Sequence, residues 1–133
     1  TMKRTLLTAL VVLCAAGFAA GTAAAIEDIA PKQAHRMIRD NRGDPGFVIL
    51  DVRTPREFEE GHLRGAVNID YHAEDFRERI DGLDRDRTYL VYCRSGARSS
   101  SAYRLMEEMG FGSLYNLQGG ILQWNQAGLP LVK

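Results

Sequence analysis

Thr88-Tyr89-Leu90-Val91-Tyr92, running into Cys93-Arg94-Ser95-Gly96-Ala97-Arg98, is the stretch on which the fold turns. The first five residues are a continuous apolar run of the kind a strand shows when both of its faces are covered. The next six read as a loop, and from about Ser99 to Met109 the pattern becomes helical. A strand, a cysteine, a tight loop and a helix in that order explain how a thiol becomes a nucleophile. Successive backbone N–H groups backed by a helix start form a concavity for negative charge. A thiolate seated there has a lowered pKa, and the thiolate is the reactive form. Arg94 and Arg98 add positive charge and planar donors suited to an anionic substrate.

Working outward, apolar runs alternate with helical patterns, and Gly and Pro mark the junctions. Ile26 to Ile29 reads as a short edge strand, and Pro31 to Arg39 as a helix with Pro31 in its first turn and Ala34, Met37 and Ile38 on one face. The turn cluster Asn41-Arg42-Gly43-Asp44-Pro45-Gly46 leads into Phe47-Val48-Ile49-Leu50, a second strand of the doubly covered kind. Thr54-Pro55-Arg56-Glu57 then carries three agreeing helix-start signals: an N-cap, a proline at the first position and a capping-box glutamate. That helix stops at Gly61. Ala66 to Ile69 is a brief strand, Asp75 to Ile80 a turn or two of helix, and Ser113 to Leu117 the last strand. Gly119-Gly120 opens a closing helix that contains Trp124. Such alternation predicts an α/β sandwich with a mostly parallel central sheet flanked by helices. Ligands of these sheets sit beyond the carboxyl ends of the strands, where Cys93 lies.

The first quarter of the chain is different. Met2-Lys3-Arg4 is basic, Thr5 to Ile26 holds no charged residue, and Thr22-Ala23-Ala24-Ala25 has the small residues of a cleavage site. Residues 1–25 therefore read as a secretory signal peptide, with residues 26–133 as the domain and an exported or periplasmic location as the consequence. The alternative is a retained membrane anchor, since an uncharged run of about 20 residues spans a bilayer. A lipid-modified Cys14 is a third option, disfavoured by Leu13 before it. With the leader cleaved the domain has no reason for stable membrane contact. It is also slightly acidic, with charges interspersed, which gives no reason to expect nucleic acid.

Only two cysteines occur, and Cys14 leaves with the leader. Cys93 then has no disulfide partner and no companions for a structural zinc site. A lone thiol in an oxidising compartment is either buried or used. The arginine- and glycine-containing flank favours use over a purely structural role.

Three blocks of sequence resemble the single-domain rhodaneses, a sulfurtransferase family, and the leader makes the chain similar to the exported members. The first runs from Ile49-Leu50-Asp51-Val52-Arg53-Thr54-Pro55-Arg56-Glu57-Phe58 to Gly61-His62-Leu63-Arg64-Gly65-Ala66-Val67-Asn68-Ile69. The second is Val91-Tyr92-Cys93-Arg94-Ser95-Gly96-Ala97-Arg98-Ser99, and the third Leu117-Gln118-Gly119-Gly120-Ile121 with Trp124 and Gly128-Leu129-Pro130-Leu131. The resemblance implies a rhodanese-like three-layer sandwich and a ping-pong transfer without cofactor or metal. Cys93 would take sulfur from a small anionic donor such as thiosulfate, become a persulfide, and pass the sulfur to cyanide, a thiol or a protein acceptor. In this reading the N–H groups from Arg94 through Ala97 to Ser99 hold the anion, Ser95 and Ser99 add hydroxyls, and Gly96 permits the tight backbone. Arg98 orients the donor, while Arg94 either assists or points outward. The related phosphatases and arsenate reductases have a loop one residue longer than the six residues from Cys93 to Arg98. Two further readings stand beside the enzyme: a persulfide carrier serving a protein partner, and a non-catalytic interaction domain.

Other residues invite roles. Asp51 and Arg53 stand at a strand end facing the expected cleft and are read as an ion pair that fixes neighbouring loops. Glu57 is read as a capping residue. His62 tempts as a general base but is read as a structural hydrogen bonder, and Trp124 as core. His35 and His72 show no metal-ligand spacing.

Overall fold

The computed structural model describes residues 25–133; apart from Ala25, the leader assigned to residues 1–25 lies outside them. Strands and helices alternate throughout: β1 (Ala25–Ile29), α1 (Pro31–Asp40), β2 (Phe47–Asp51), α2 (Pro55–Glu60), β3 (Val67–Asn68), α3 (Phe76–Asp81), β4 (Thr88–Tyr92), α4 (Ala97–Glu108), β5 (Ser113–Leu117) and α5 (Gly120–Gln126). The five strands form one sheet in the order β1-β5-β4-β2-β3. Every pairing is parallel, so the mostly parallel sheet expected from sequence is parallel throughout. No helix among the described residues is long and apolar enough to cross a membrane.

β4 is the central strand, which is why its sequence is apolar on both faces. Strand geometry sends alternate side chains to opposite faces. Tyr89, Val91 and Cys93 join the core that α3 and α4 cover, with Phe76, Ile80, Ala102 and Met106. Leu90 and Tyr92 join the opposite core, with Ala34 of α1 and Ile121 and Trp124 of α5. The period of β4 thus delivers Cys93 to the α4 side, at the carboxyl end of the sheet.

α2 starts as its sequence predicts. Thr54 Oγ1 accepts from the Glu57 N–H at 3.2 Å, and Glu57 Oε1 accepts from the Thr54 N–H at 3.3 Å, closing the capping box with Pro55 in the first turn. The strand read over Ala66 to Ile69 shrinks to Val67–Asn68. Beyond it the backbone turns inward, and the Ile69 and Tyr71 N–H groups bind the carbonyls of Asp51 and Val52.

Asp51 and Arg53 do not open on a cleft. Both are buried, at 0% and 5% exposure, because strand alternation puts Asp51 on the face of Ile49, the α1/α5 side of the sheet, opposite Leu50. Arg53 Nη2 donates to Asp51 Oδ2 at 2.7 Å and to the Gly61 carbonyl at 2.7 Å, and its Nε also faces the carboxylate. Burial disfavours the Arg53 charge, but the Asp51 carboxylate more than offsets it and raises the pKa. The pair ties β2 to the end of α2. It is the loop-fixing ion pair read from sequence, set inside the protein.

His62 is likewise architectural. Its Nδ1 donates to the Phe58 carbonyl at 2.8 Å and its ring stacks on Phe58. Its backbone exchanges two hydrogen bonds with Val132, which pins the end of the chain. Trp124 is buried, and its indole N–H donates to the Pro130 carbonyl at 3.0 Å.

Candidate active site

The helix after Cys93 begins earlier than its sequence suggests. α4 starts at Ala97, so the loop proper is Cys93 to Gly96, and Arg98 and Ser99 belong to the first helical turn. Gly96 makes this possible. It occupies the helix N-cap with φ +106°, a region that side-chain-bearing residues enter at a cost. The chain therefore reverses within four residues, and the first amides of α4 turn back on the sulfur.

Cys93 Sγ receives the Gly96 N–H at 3.1 Å and the Ser99 N–H at 3.4 Å. As a thiol it donates to Ser99 Oγ at 3.4 Å, and that hydroxyl donates in turn to the Gly96 carbonyl at 3.2 Å. On ionisation the hydroxyl can turn and donate to the sulfur. Burial pushes the Cys93 pKa up, since the residue is only 1% exposed. The Ser99 hydroxyl and the N–H groups of Ser99, Gly96 and Ser95 outweigh that penalty and leave the pKa lowered. Ser99→Ala removes one of these donors. The rate of alkylation by iodoacetamide against pH is expected to shift to higher pH in this variant, because the thiolate then persists over a narrower alkaline range. A profile that does not move would show that the hydroxyl does not set the thiolate population.

The loop is held from below by α5. The Ile121 and Leu122 N–H groups donate to the carbonyls of Cys93 and Arg94 at 3.0 and 3.1 Å. This docking requires glycine at position 120. A Cβ there would stand 2.4 Å from the Arg94 carbonyl oxygen, and the backbone has φ +61°. Gly120→Ala is expected to cost about 2 kcal/mol or more through overpacking and strain and to lower the reactivity of the Cys93 thiol by displacing the loop. A thermal melt and a thiol titration of the same variant check both effects. Sequence reading assigned Gly119-Gly120 to the start of a helix; its grip on the Cys93 loop was missed, although a Gly-Gly pair after a strand is a sign of close backbone approach.

The arginines divide. Arg94 is exposed, as are Ser95 and Ala97. Arg98 is not free: its Nη1 and Nη2 donate to Glu57 Oε1 and Oε2 at 2.7 and 3.0 Å. Glu57 thus caps α2 and straps it to α4, a second role that its capping position concealed. The Arg98 guanidinium, acting chiefly by hydrogen bonding, holds the Glu57 carboxyl down to about 2. The strap is accordingly complete above the ordinary carboxylate range and is lost only as pH falls through about 2. Among the described residues no group of three or more His, Cys, Asp or Glu is placed to hold a metal.

A parallel α/β sheet that hands a lone cysteine to a ring of amides at a helix start defines a class of cysteine-loop domains. Within that class the chain belongs to the rhodanese-like family, for the family model described as Rhodanese-like domain matches residues 30–127. Its relatives agree. A sulfurtransferase of Allochromatium vinosum is 38% identical over 85 residues, covering 64% of this chain and 78% of that protein. The thiosulfate sulfurtransferase GlpE of Stutzerimonas stutzeri is 37% identical over 97 residues, covering 72% and 82%. Among solved structures, a rhodanese-related protein of Thermoplasma volcanium superposes with a TM-score of 0.69 at 29% identity, covering 80% of this chain and 98% of that one. A protein of Rhodopseudomonas palustris described as a possible tyrosine phosphatase gives the same TM-score at 27% identity, covering 80% and 85%.

Proposed function

We propose that the protein is a sulfurtransferase that carries sulfur as a persulfide on Cys93, with thiosulfate as a donor and cyanide or a thiol as acceptor. The observation that carries this reading is the sulfur's cradle: two backbone N–H groups at 3.1 and 3.4 Å with a hydroxyl beside them. The Cys93 thiolate attacks the outer sulfur of thiosulfate. A sulfur–sulfur bond forms at Cys93 as the one inside thiosulfate breaks, and its electron pair leaves with sulfite. The persulfide is anionic, as the thiolate was, so the same amides serve both states. A cyanide ion or thiolate then attacks the terminal sulfur, and the electron pair of the breaking bond returns to Cys93. Neither step needs a proton, consistent with a site where His62 is committed elsewhere. With Arg98 paired to Glu57, the exposed guanidinium of Arg94, which has no acidic partner among the described residues, is the cation that meets the donor.

Intact mass spectra before and after thiosulfate, and again after cyanide, test the proposal. Gain of one sulfur atom, then its loss with production of thiocyanate, is the expected result. A Cys93 thiol that stays unmodified would overturn the thiosulfate reading and favour a carrier charged by a protein partner. Hydrolysis of an aryl phosphate instead would favour the phosphatase described for the Rhodopseudomonas protein. An exported, periplasmic location belongs to the same proposal, and the N-terminal sequence of the protein recovered from its host tests it.

A further inference from the structure

A second concavity lies away from Cys93, on the face of the sheet covered by α1 and α5. Its floor is the buried Ile49, Leu63 and Trp124, all members of the core opposite the one that holds Cys93. It sits over the start of β2, whereas Cys93 follows the end of β4. Its volume is about 300 Å³, at the small end of the range for small-molecule sites.

The rim has a consistent charge. Arg39 and Arg42 come from the last turn of α1 and the loop after it, and Arg64 comes from the connection between α2 and β3. Arg39 meets Asp40 at 3.6 Å on the open surface, a contact of little energetic worth. Arg42 and Arg64 have no acidic partner among the described residues. Asp44 is the one acid on the rim, and its Oδ1 is committed to the Gly46 N–H at 2.8 Å. His35 lies edge-on to Trp124 at 5.6 Å and adds a ring with polar nitrogens.

We propose that this cleft binds a small organic anion, with an apolar body on Trp124 and Leu63 and a carboxylate or similar head between Arg42 and Arg64. A guanidinium fork can pair with a carboxylate through two parallel hydrogen bonds. The apolar floor adds affinity for a ring or short chain that a bare inorganic ion lacks. The excess of cations argues against the basic leader segment of this chain as occupant.

Trp124 is the only tryptophan in the chain, and it and Pro130, whose carbonyl accepts its indole N–H, both line the cleft. Its indole resonance, or its fluorescence, is therefore a reporter specific to this site. The full chain is titrated with benzoate, with neutral benzamide and with inorganic phosphate. The expected result is a saturable shift with benzoate that added salt weakens. Arg42→Gln combined with Arg64→Gln is expected to weaken it about tenfold, while sulfur transfer at Cys93 is unchanged. Arg64→Gln alone serves if the double variant is poorly folded. Equal response to benzamide, equal response to phosphate, or no saturable response to benzoate each overturns the proposal.

Discussion

Cys93→Ala is expected to take up no sulfur from thiosulfate and to lose transfer activity to background, a fall on the order of a thousandfold or more. The fold should survive. The thiol contributes one small buried side chain to the α3/α4 core, and its truncation costs about 1 kcal/mol in transfer and cavity terms. The amides of Gly96 and Ser99 lose their acceptor, but the loop is independently fixed through its carbonyls by α5. Cys93→Ser separates geometry from ionisation. A serine hydroxyl satisfies the same amides, yet it does not ionise in the range where a thiol does, so it too should be inactive while melting near the parent. Turnover that persists in either variant would remove Cys93 from the mechanism. Loss of activity with loss of the melting transition would instead assign the effect to folding.

Arg53→Ala is expected to destabilise the protein by about 3–5 kcal/mol, the usual cost of leaving one member of a buried ion pair without its partner. Asp51 is fully buried, and without the guanidinium its carboxylate keeps the Arg53 backbone N–H at 2.9 Å and the neighbouring Tyr92 hydroxyl but loses its cationic partner. The Gly61 carbonyl loses its donor as well, so the end of α2 loosens together with the segment that carries Glu57. Activity at low temperature should fall less than stability does, because neither residue touches Cys93. Removing both charges, as Asp51→Leu with Arg53→Met, is expected to recover part of the loss, since replacing a buried pair by apolar groups is often neutral. Urea unfolding of the parent and the two variants supplies the comparison. A double variant no better than Arg53→Ala would mean that the Gly61 link, rather than the buried charge, holds this corner.

The contrast between what the sequence disclosed and what it hid follows the range of the interactions. Parallel order was legible because β2 and β4 are apolar on both faces, and the α2 start was legible because its cap, proline and glutamate lie within four residues. The seat of Cys93 was legible because the strand, loop and helix that surround it are consecutive. The Arg98–Glu57 strap was not, because it joins residues 41 positions apart and Glu57 already had a sufficient local explanation in the capping box. The burial of Asp51 and Arg53 escaped for a related reason. A charged pair at a strand end reads as a surface feature until the end of α2 is known to fold over it. The early start of α4 turns on one glycine entering the left-handed region, which the sequence permits without requiring.

The grip of α5 on the Cys93 and Arg94 carbonyls also bears on the order in which the protein comes into being during synthesis. The loop and α4 are translated well before Gly120, so a nascent chain can hold every residue around the sulfur while the carbonyls of the loop still lack their partners. Only when α5 emerges and docks is the backbone around Cys93 locked. Order around the sulfur is thereby tied to synthesis of α5, and a product truncated or stalled before it would carry a cysteine with no fixed nest to hold it.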